Sequence, residues 1–364
     1  MLKVSQPGVE TTAPPPFFIV GAGRSGSTLL RMMLTSHSHI AIPPETWFLL
    51  PLIERLPIDR NLSGAELHQA IVIMTSHYRW PDMQISADEL RECAARLPSA
   101  GIGDLARIVY DIHLRRTGKV RWADKTPPYI RILPQLATLF PGARFIFLVR
   151  DGRDVAKSFQ SLMIYGKTIR QNTIEWLEAN RWERKWLASA QADSMLRVRY
   201  EDLVIDPESV LRAICAFIGE QFEPHMLTWQ ESVERLVPER ERHVHEKLTR
   251  RTRHEDVARW EHSMSNAELF MAEAFMGRDL QRLGYERRLR SPLWRPVFWA
   301  VRAYFDFLLP LNPIGVLPAL TRKLTRGRAC ADVEKFSAAE TGQLRGPGPR
   351  AVDPSKVGLR RYLW

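Results

Sequence analysis

FFIVGAGRSGSTLLRMMLTSHSHIAIPPE, residues 17–45, decides the fold, because an apolar run enters a glycine-rich turn and leaves it as an amphipathic helix. Phe17, Phe18, Ile19 and Val20 suit a strand buried on both faces in a parallel sheet. Gly21, Gly23 and Gly26 allow positive φ and close approach of the backbone to a ligand. From Thr28 to Leu34 apolar residues recur at helical spacing, so the unpaired N–H groups of the first turn face back into the loop. That arrangement binds anions, phosphate above all.

The turn GAGRSGST aligns with the nucleotide-binding pattern GxxxxGK[ST] at Gly21, Gly26 and Thr28, but Ser27 stands where the lysine belongs. Arg24 is the nearest cation. A phosphoryl-transfer enzyme needs that lysine and Mg²⁺ to neutralise charge on the moving group, so the turn points to a donor with less charge to offset. A plain Gly/Ser connection between strand and helix is the alternative reading.

A second element follows the same grammar. Residues 143–149 read as a buried strand that ends in Arg150-Asp151-Gly152-Arg153-Asp154 and continues as a helix through Val155, Ser158 and Phe159. Ligands of open α/β sheets bind beyond the carboxyl ends of the strands, where Arg150 and Ser158 can meet at one phosphate. Two anion sites imply a doubly phosphorylated ligand. Taken alone, VRDGRD reads equally well as a solvated turn in which Arg150 pairs with Asp154.

GAGRSGST at 21–28 and FLVRDGRDVAKSF at 147–159 together resemble the two cofactor signatures of sulfotransferases that use 3′-phosphoadenosine 5′-phosphosulfate (PAPS). WADKTP at 122–127 and RYEDLV at 199–204 look like further landmarks of that family. The resemblance spans about residues 15–285 and implies a P-loop-like three-layer α/β/α fold with a central parallel sheet. It implies that the turn Gly23, Arg24, Ser25, Gly26, Ser27 and Thr28 holds the 5′-phosphosulfate, and that Arg150 with Ser158 holds the 3′-phosphate. Tyr200 would contact adenine, or else is simple core at a strand end. Arg251 and Arg253 are the residues expected to close over the 3′-phosphate, with a solvated basic loop as the alternative.

Glu45 follows Ile42-Pro43-Pro44, a stretch too rigid for mid-helix, so its carboxylate is offered from a fixed loop. Sulfuryl transfer to an alcohol needs the hydroxyl proton removed, and a partly desolvated carboxylate with a raised pKa can accept it. The PPET turn resembles the branch of the family with a glutamate base, the tyrosylprotein and carbohydrate type, rather than the cytosolic branch with histidine. His37 and His39 read as solvated residues that end a helix. Lys125, fixed by Pro127 and Pro128, can stabilise charge on the bridging oxygen as the sulfuryl group leaves, or belongs to a surface cluster with Asp124. The catalytic set is therefore Glu45, Lys125 and Arg24, and no metal is required.

The rest of the chain sets the context. The net charge of +11 favours anionic ligands, while no recognition helix or zinc spacing organises the basic residues for nucleic acid. Cys93, Cys215 and Cys330 stand apart, without a CxxC pair, which argues for a reducing compartment. Residues 1–15 read as a flexible leader without a signal or spanning segment, 16–290 as the catalytic domain, 291–326 as an apolar and basic segment, and 327–364 as a disordered tail. The segment 291–326 is broken by Arg302, Asp306 and several prolines, so contact with a membrane surface, packing on the catalytic domain and a homodimer contact all stay open. A cytoplasmic sulfotransferase acting on a sugar, lipid or other small-molecule hydroxyl is the expectation, peripheral at the inner face of the membrane if 291–326 contacts lipid. An atypical P-loop small-molecule kinase and a catalytically silent, membrane-associated nucleotide-binding protein are the alternatives.

Overall fold

The computed structural model describes residues 14–97, 99–161, 169–232 and 254–289, together with 296, 297 and 300. The chain divides into two units, Met1–Glu286 and Arg287–Trp364, and the described residues fall almost wholly in the first. Arg251, Arg253, most of the leader and nearly all of 291–364 lie outside the described residues.

Five parallel strands form the sheet: β1 (Phe17–Gly21), β2 (Ile40–Ala41), β3 (Arg121–Lys125), β4 (Arg144–Val149) and β5 (Met195–Arg199), in the order β2-β3-β1-β4-β5. Between them run α1 (Ser27–Thr35), α2 (Leu49–Arg55), α3 (Gly64–Thr75), α4 (Ala87–Ala95), α5 (Ile102–Thr117), α6 (Leu133–Leu139), α7 (Gly152–Ser161) and α8 (Ile169–Leu187). After β5 come α9 (Tyr200–Ile205) and α10 (Pro207–Ile218), and later the helix Asn266–Arg282.

All five residues of β1 are buried, as its unbroken apolar run requires of a central parallel strand. Because side chains alternate across a strand, Phe17 and Ile19 join Leu30 and Met33 of α1 and Leu211 and Ile214 of α10 in one core layer. Phe18 points the other way, with ring centroids 5.8 Å from Trp122, 5.6 Å from Phe140 and 5.8 Å from Phe145. Two apolar faces on one strand give the three-layer α/β/α arrangement.

Pairing of β1 with both β3 and β4 sets the site. Ile19 lies beside Lys125 on one flank and Ile146 on the other, so the ends of β1, β3 and β4 open at one edge. Ligands gather at that edge in open α/β sheets. Asp206 and Pro207 separate α9 from α10: the residue before proline avoids helical geometry, and the Asp206 side chain accepts from the Ser209 N–H at 3.2 Å to start α10. Among the described residues no helix is long and apolar enough to cross a membrane.

Candidate active site

The glycine turn is built by steric necessity. Gly26 has φ 92°, and a Cβ there would come within 2.3 Å of the Tyr200 ring. Gly21 has φ 149°, with Leu148 O only 2.5 Å from where a Cβ would sit. Arg24, although not glycine, also adopts the left-handed region at φ 65°. Beyond the turn, α1 starts with no side-chain cap and no acid in its first turn, so no carboxylate competes for its N–H groups. Ser25 is buried, and its Oγ has no hydrogen-bond partner among the described residues.

One flank of the turn carries arginines. Arg24 Nε donates to Ser158 Oγ at 3.1 Å, which joins the turn to the second signature. Arg150, at the carboxyl end of β4, donates through Nη2 to Asp154 Oδ2 and to the Asp256 carbonyl, both at 3.2 Å, and stacks 4.4 Å above the Tyr200 ring. Tyr200 is buried, with its ring against Gly26 and under that guanidinium, and it also belongs to the apolar core layer that holds Ile146, Leu148 and Val198. Arg150–Asp154 pairing, left open by the sequence, is present, yet Arg150 Nε keeps no hydrogen-bond partner among the described residues. Asp154 also accepts from the Trp260 N–H at 2.8 Å, tying the late segment to α7.

The other flank carries the proposed chemistry. Lys125, on β3, donates from Nζ to Glu45 Oε1 at 2.5 Å and to Thr28 Oγ1 at 3.3 Å, so it spans from the carboxylate to the first turn of α1. The Trp47 indole N–H donates to Glu45 Oε2 at 2.8 Å, and Arg79 Nη1 lies 3.8 Å from that oxygen. Burial alone would push the Glu45 carboxyl up, but the Lys125 and Arg79 charges, with hydrogen bonds from Lys125 and Trp47, hold it at about 2. This corrects the raised pKa expected from the sequence: the loop does desolvate Glu45, and two cations outweigh that effect.

Behind the pair lies a buried polar network. Thr46 Oγ1 and Tyr110 OH both donate to Asp124 Oδ2, at 2.7 and 2.9 Å. The Thr46 hydroxyl also meets Tyr129 OH at 2.7 Å, and the Thr46 N–H donates to Thr126 Oγ1 at 3.1 Å. Asp124 and Lys125 are therefore interior, not the surface charge cluster that the sequence allowed.

His37 departs from its reading as a solvated cap. It is buried, its Nδ1 accepts from the His39 N–H at 3.0 Å, and its Nε2 therefore carries the proton donated to the Gln221 carbonyl at 2.8 Å. Both ring nitrogens are thus engaged within the fold. Sequence reasoning missed Trp47, Arg79 and the Asp124 network; the PPET and ADKTPP motifs flanked two of them, while Arg79 carries no local signal.

A central strand that opens into a lysine-free glycine turn, flanked by two parallel strands bearing Lys125 and Arg150, defines a P-loop-like α/β protein. The sequence profile of the sulfotransferase family matches residues 15–224, and the chain belongs to that family. It is similar to nodulation protein NoeE of Sinorhizobium fredii, with 32% identity over 145 residues, 40% of this chain and 30% of NoeE. It is also similar to protein-tyrosine sulfotransferase 1 of Danio rerio, with 27% identity over 243 residues, 64% of this chain and 60% of the relative. The chain thus spans less than two thirds of the length of either. Among solved structures, the sulfotransferase domain from the curacin biosynthetic pathway superposes with a TM-score of 0.52 at 24% identity, over 75% of this chain and 98% of that domain, and shares its fold.

Proposed function

We propose that this protein transfers the sulfuryl group of PAPS to an acceptor hydroxyl, with Glu45 as general base and Lys125 as the donor to the leaving oxygen. The observation that carries the reading is Lys125, 2.5 Å from Glu45 and 3.3 Å from Thr28, an ammonium shared between a carboxylate and the mouth of a phosphate-binding turn. Family membership supports the donor class, and the residues fit it. Ser25 Oγ, without a hydrogen-bond partner among the described residues, and the uncapped start of α1 suit the 5′ end, and Arg150 Nε with Ser158 suits the 3′-phosphate. Arg24 serves either end, since it already reaches Ser158.

Bound there, the donor supplies a sulfuryl group joined through a bridging oxygen to a phosphate. Glu45 takes the proton from the attacking hydroxyl as the new O–S bond forms. Lys125 leaves Glu45 and donates to the bridging oxygen as the old S–O bond breaks, which gives 3′,5′-adenosine bisphosphate and the sulfate ester. The freed carboxylate is then a stronger base than the one held at about 2 in the ion pair. Residues 16–290 form the catalytic domain in this reading. The proposed acceptor is a sugar, lipid or other small-molecule hydroxyl, and the proposed setting is cytoplasmic.

Incubating fractionated cell extract with ³⁵S-labelled PAPS and the purified protein, then resolving labelled products by mass, tests the reading. A labelled ester formed by the wild type and lost in Glu45→Gln supports it. Ester formation that survives Glu45→Gln refutes the base, and ATP-dependent phosphate transfer in place of sulfation refutes the donor.

A further inference from the structure

Trp47 sits in the left-handed region at φ 55°, a conformation that a bulky side chain adopts only where its surroundings enforce it. The enforcing bonds lie on both sides. Thr46 is anchored before it through Thr126 and Asp124. After it, the Phe48 N–H returns to the Thr46 carbonyl at 2.6 Å, the Leu50 N–H to the Trp47 carbonyl at 3.3 Å, and the Phe48 ring is fully buried. The sharp turn folds the indole back over its own chain, and Nε1 reaches Glu45 Oε2 at 2.8 Å. Strained backbone next to a candidate base, ending in a hydrogen bond to that base, is an outlier with a chemical result.

The two oxygens of Glu45 are thereby given different partners. Oε2 receives the Trp47 N–H and faces Arg79, whose own Nε lies 3.4 Å from Asp82 Oδ2. Oε1 faces Lys125, at the mouth of the glycine turn. We propose that Trp47 is a positioning residue that pins Glu45 through Oε2, so that Oε1 is the atom that takes the acceptor proton.

The inference rests on Glu45 being the base, and the chemistry of the two donors separates their roles. Indole N–H is a donor only, and Oε2 remains an acceptor whether Glu45 is ionised or protonated on Oε1. The Trp47 bond therefore survives the proton transfer, whereas Lys125 gives up Oε1 in the course of it and passes to the bridging oxygen. The charged or titratable groups around Glu45 are Lys125 and Asp124 from β3, and Arg79 with Asp82 from the segment after α3.

Two readouts test the assignment on the full chain. In protein carrying ¹⁵N-labelled tryptophan, the Trp47 indole resonance, identified by its loss in Trp47→Phe, should shift in Glu45→Gln; an unmoved resonance overturns the bond. In turnover with the acceptor found by extract labelling, Trp47→Phe should lower kcat about tenfold and move the acid limb of its pH profile upward, because a donor that favours the charged form is gone. Affinity for 3′,5′-adenosine bisphosphate by calorimetry should stay at the wild-type value. Trp47→Gly, which accepts the left-handed backbone, should show the same fall in kcat with no loss of thermal stability. A wild-type kcat and acid limb in Trp47→Phe overturns the proposal, as does a fall in kcat matched by lost stability and lost cofactor affinity. If Glu45→Gln keeps activity, the base assignment fails first; if it is inactive while Trp47→Phe is unchanged, only the positioning role fails.

Discussion

Thr46 Oγ1 donates to Asp124 Oδ2 at 2.7 Å, and that bond joins the residue after Glu45 to the residue before Lys125. Two segments distant in sequence, a proline-stiffened loop and strand β3, are thus held in register at one buried carboxylate. The Glu45–Lys125 distance depends on that register more than on either side chain, since Lys125 and Glu45 each have several rotatable bonds and Thr46 and Asp124 have few. Tyr110 adds a second donor at Asp124 Oδ2 and Tyr129 engages the Thr46 hydroxyl, which stiffens the network on that side of the carboxylate.

Replacing Glu45 by Gln removes the proposed base without changing the volume of the loop. Turnover should fall by about a hundred- to ten-thousand-fold, the range for a lost general base. Binding of 3′,5′-adenosine bisphosphate should persist, because Glu45 meets no proposed phosphate ligand other than Lys125. Stopped-time product assays and calorimetry check the two halves, and equal losses in both would mean a collapsed site and not a missing base.

Arg150 should read the 3′-phosphate alone. It lies at the end of β4, across the turn from Glu45, and is held by Asp154 and the Asp256 carbonyl. Arg150→Ala should weaken 3′,5′-adenosine bisphosphate by tenfold or more, as expected for a lost charge-assisted bond. Adenosine 5′-phosphosulfate, which lacks the 3′-phosphate, should bind the variant and the wild type alike. A uniform loss for both ligands would assign Arg150 to holding Tyr200 and the turn.

Gly26 is a packing constraint as well as a turn. Gly26→Ala places a methyl group against the Tyr200 ring in a backbone region unfavourable to alanine, at φ 92°. The backbone conformation alone should cost roughly 1–3 kcal/mol, with the clash added to it. Urea unfolding checks this, and Tyr200→Ala in the same chain should recover the part due to the clash; a recovery of nothing would place the whole effect in the backbone.

How far the sequence revealed this site follows from where each contact comes from. The glycine turn and β4 were legible because their signals are local: apolar runs, glycines and the arginine after the strand. Strand β3 was not, since Arg121, Asp124 and Lys125 look solvated, yet all of β3 is buried. Each polar side chain there has a tertiary partner, Arg121 with the Ile218 and Pro15 carbonyls, Asp124 with Thr46 and Tyr110, Lys125 with Glu45. No periodicity encodes such partners. The same holds for Arg79 beside Glu45 and for Arg24 against Ser158, contacts made by packing between elements. The direction of the Glu45 shift was misread for that reason, because burial was visible in the loop and the two cations were not.

Asp124 and Glu45 should oppose each other in the pH dependence of stability. Burial pushes the Asp124 carboxyl up from 3.8 to about 6, so the folded chain keeps a proton there that the unfolded chain has lost. Between those values folding binds more protons; this contribution is full at low pH and is lost as pH rises through about 6. Glu45, lowered from 4.5 to about 2, contributes stability present above 4.5 and lost as pH falls towards about 2. Asp124→Asn removes the first effect and leaves the second. The stability of the variant relative to the wild type should therefore rise between 3.8 and about 6 and level off above, whatever constant offset the lost hydrogen bonds add. A shift of that size corresponds to a change on the order of 3 kcal/mol. Thermal unfolding of both proteins across the interval checks it, and a difference that stays flat with pH would mean that Asp124 is ionised throughout and that the hydroxyls of Thr46 and Tyr110, not burial, govern it.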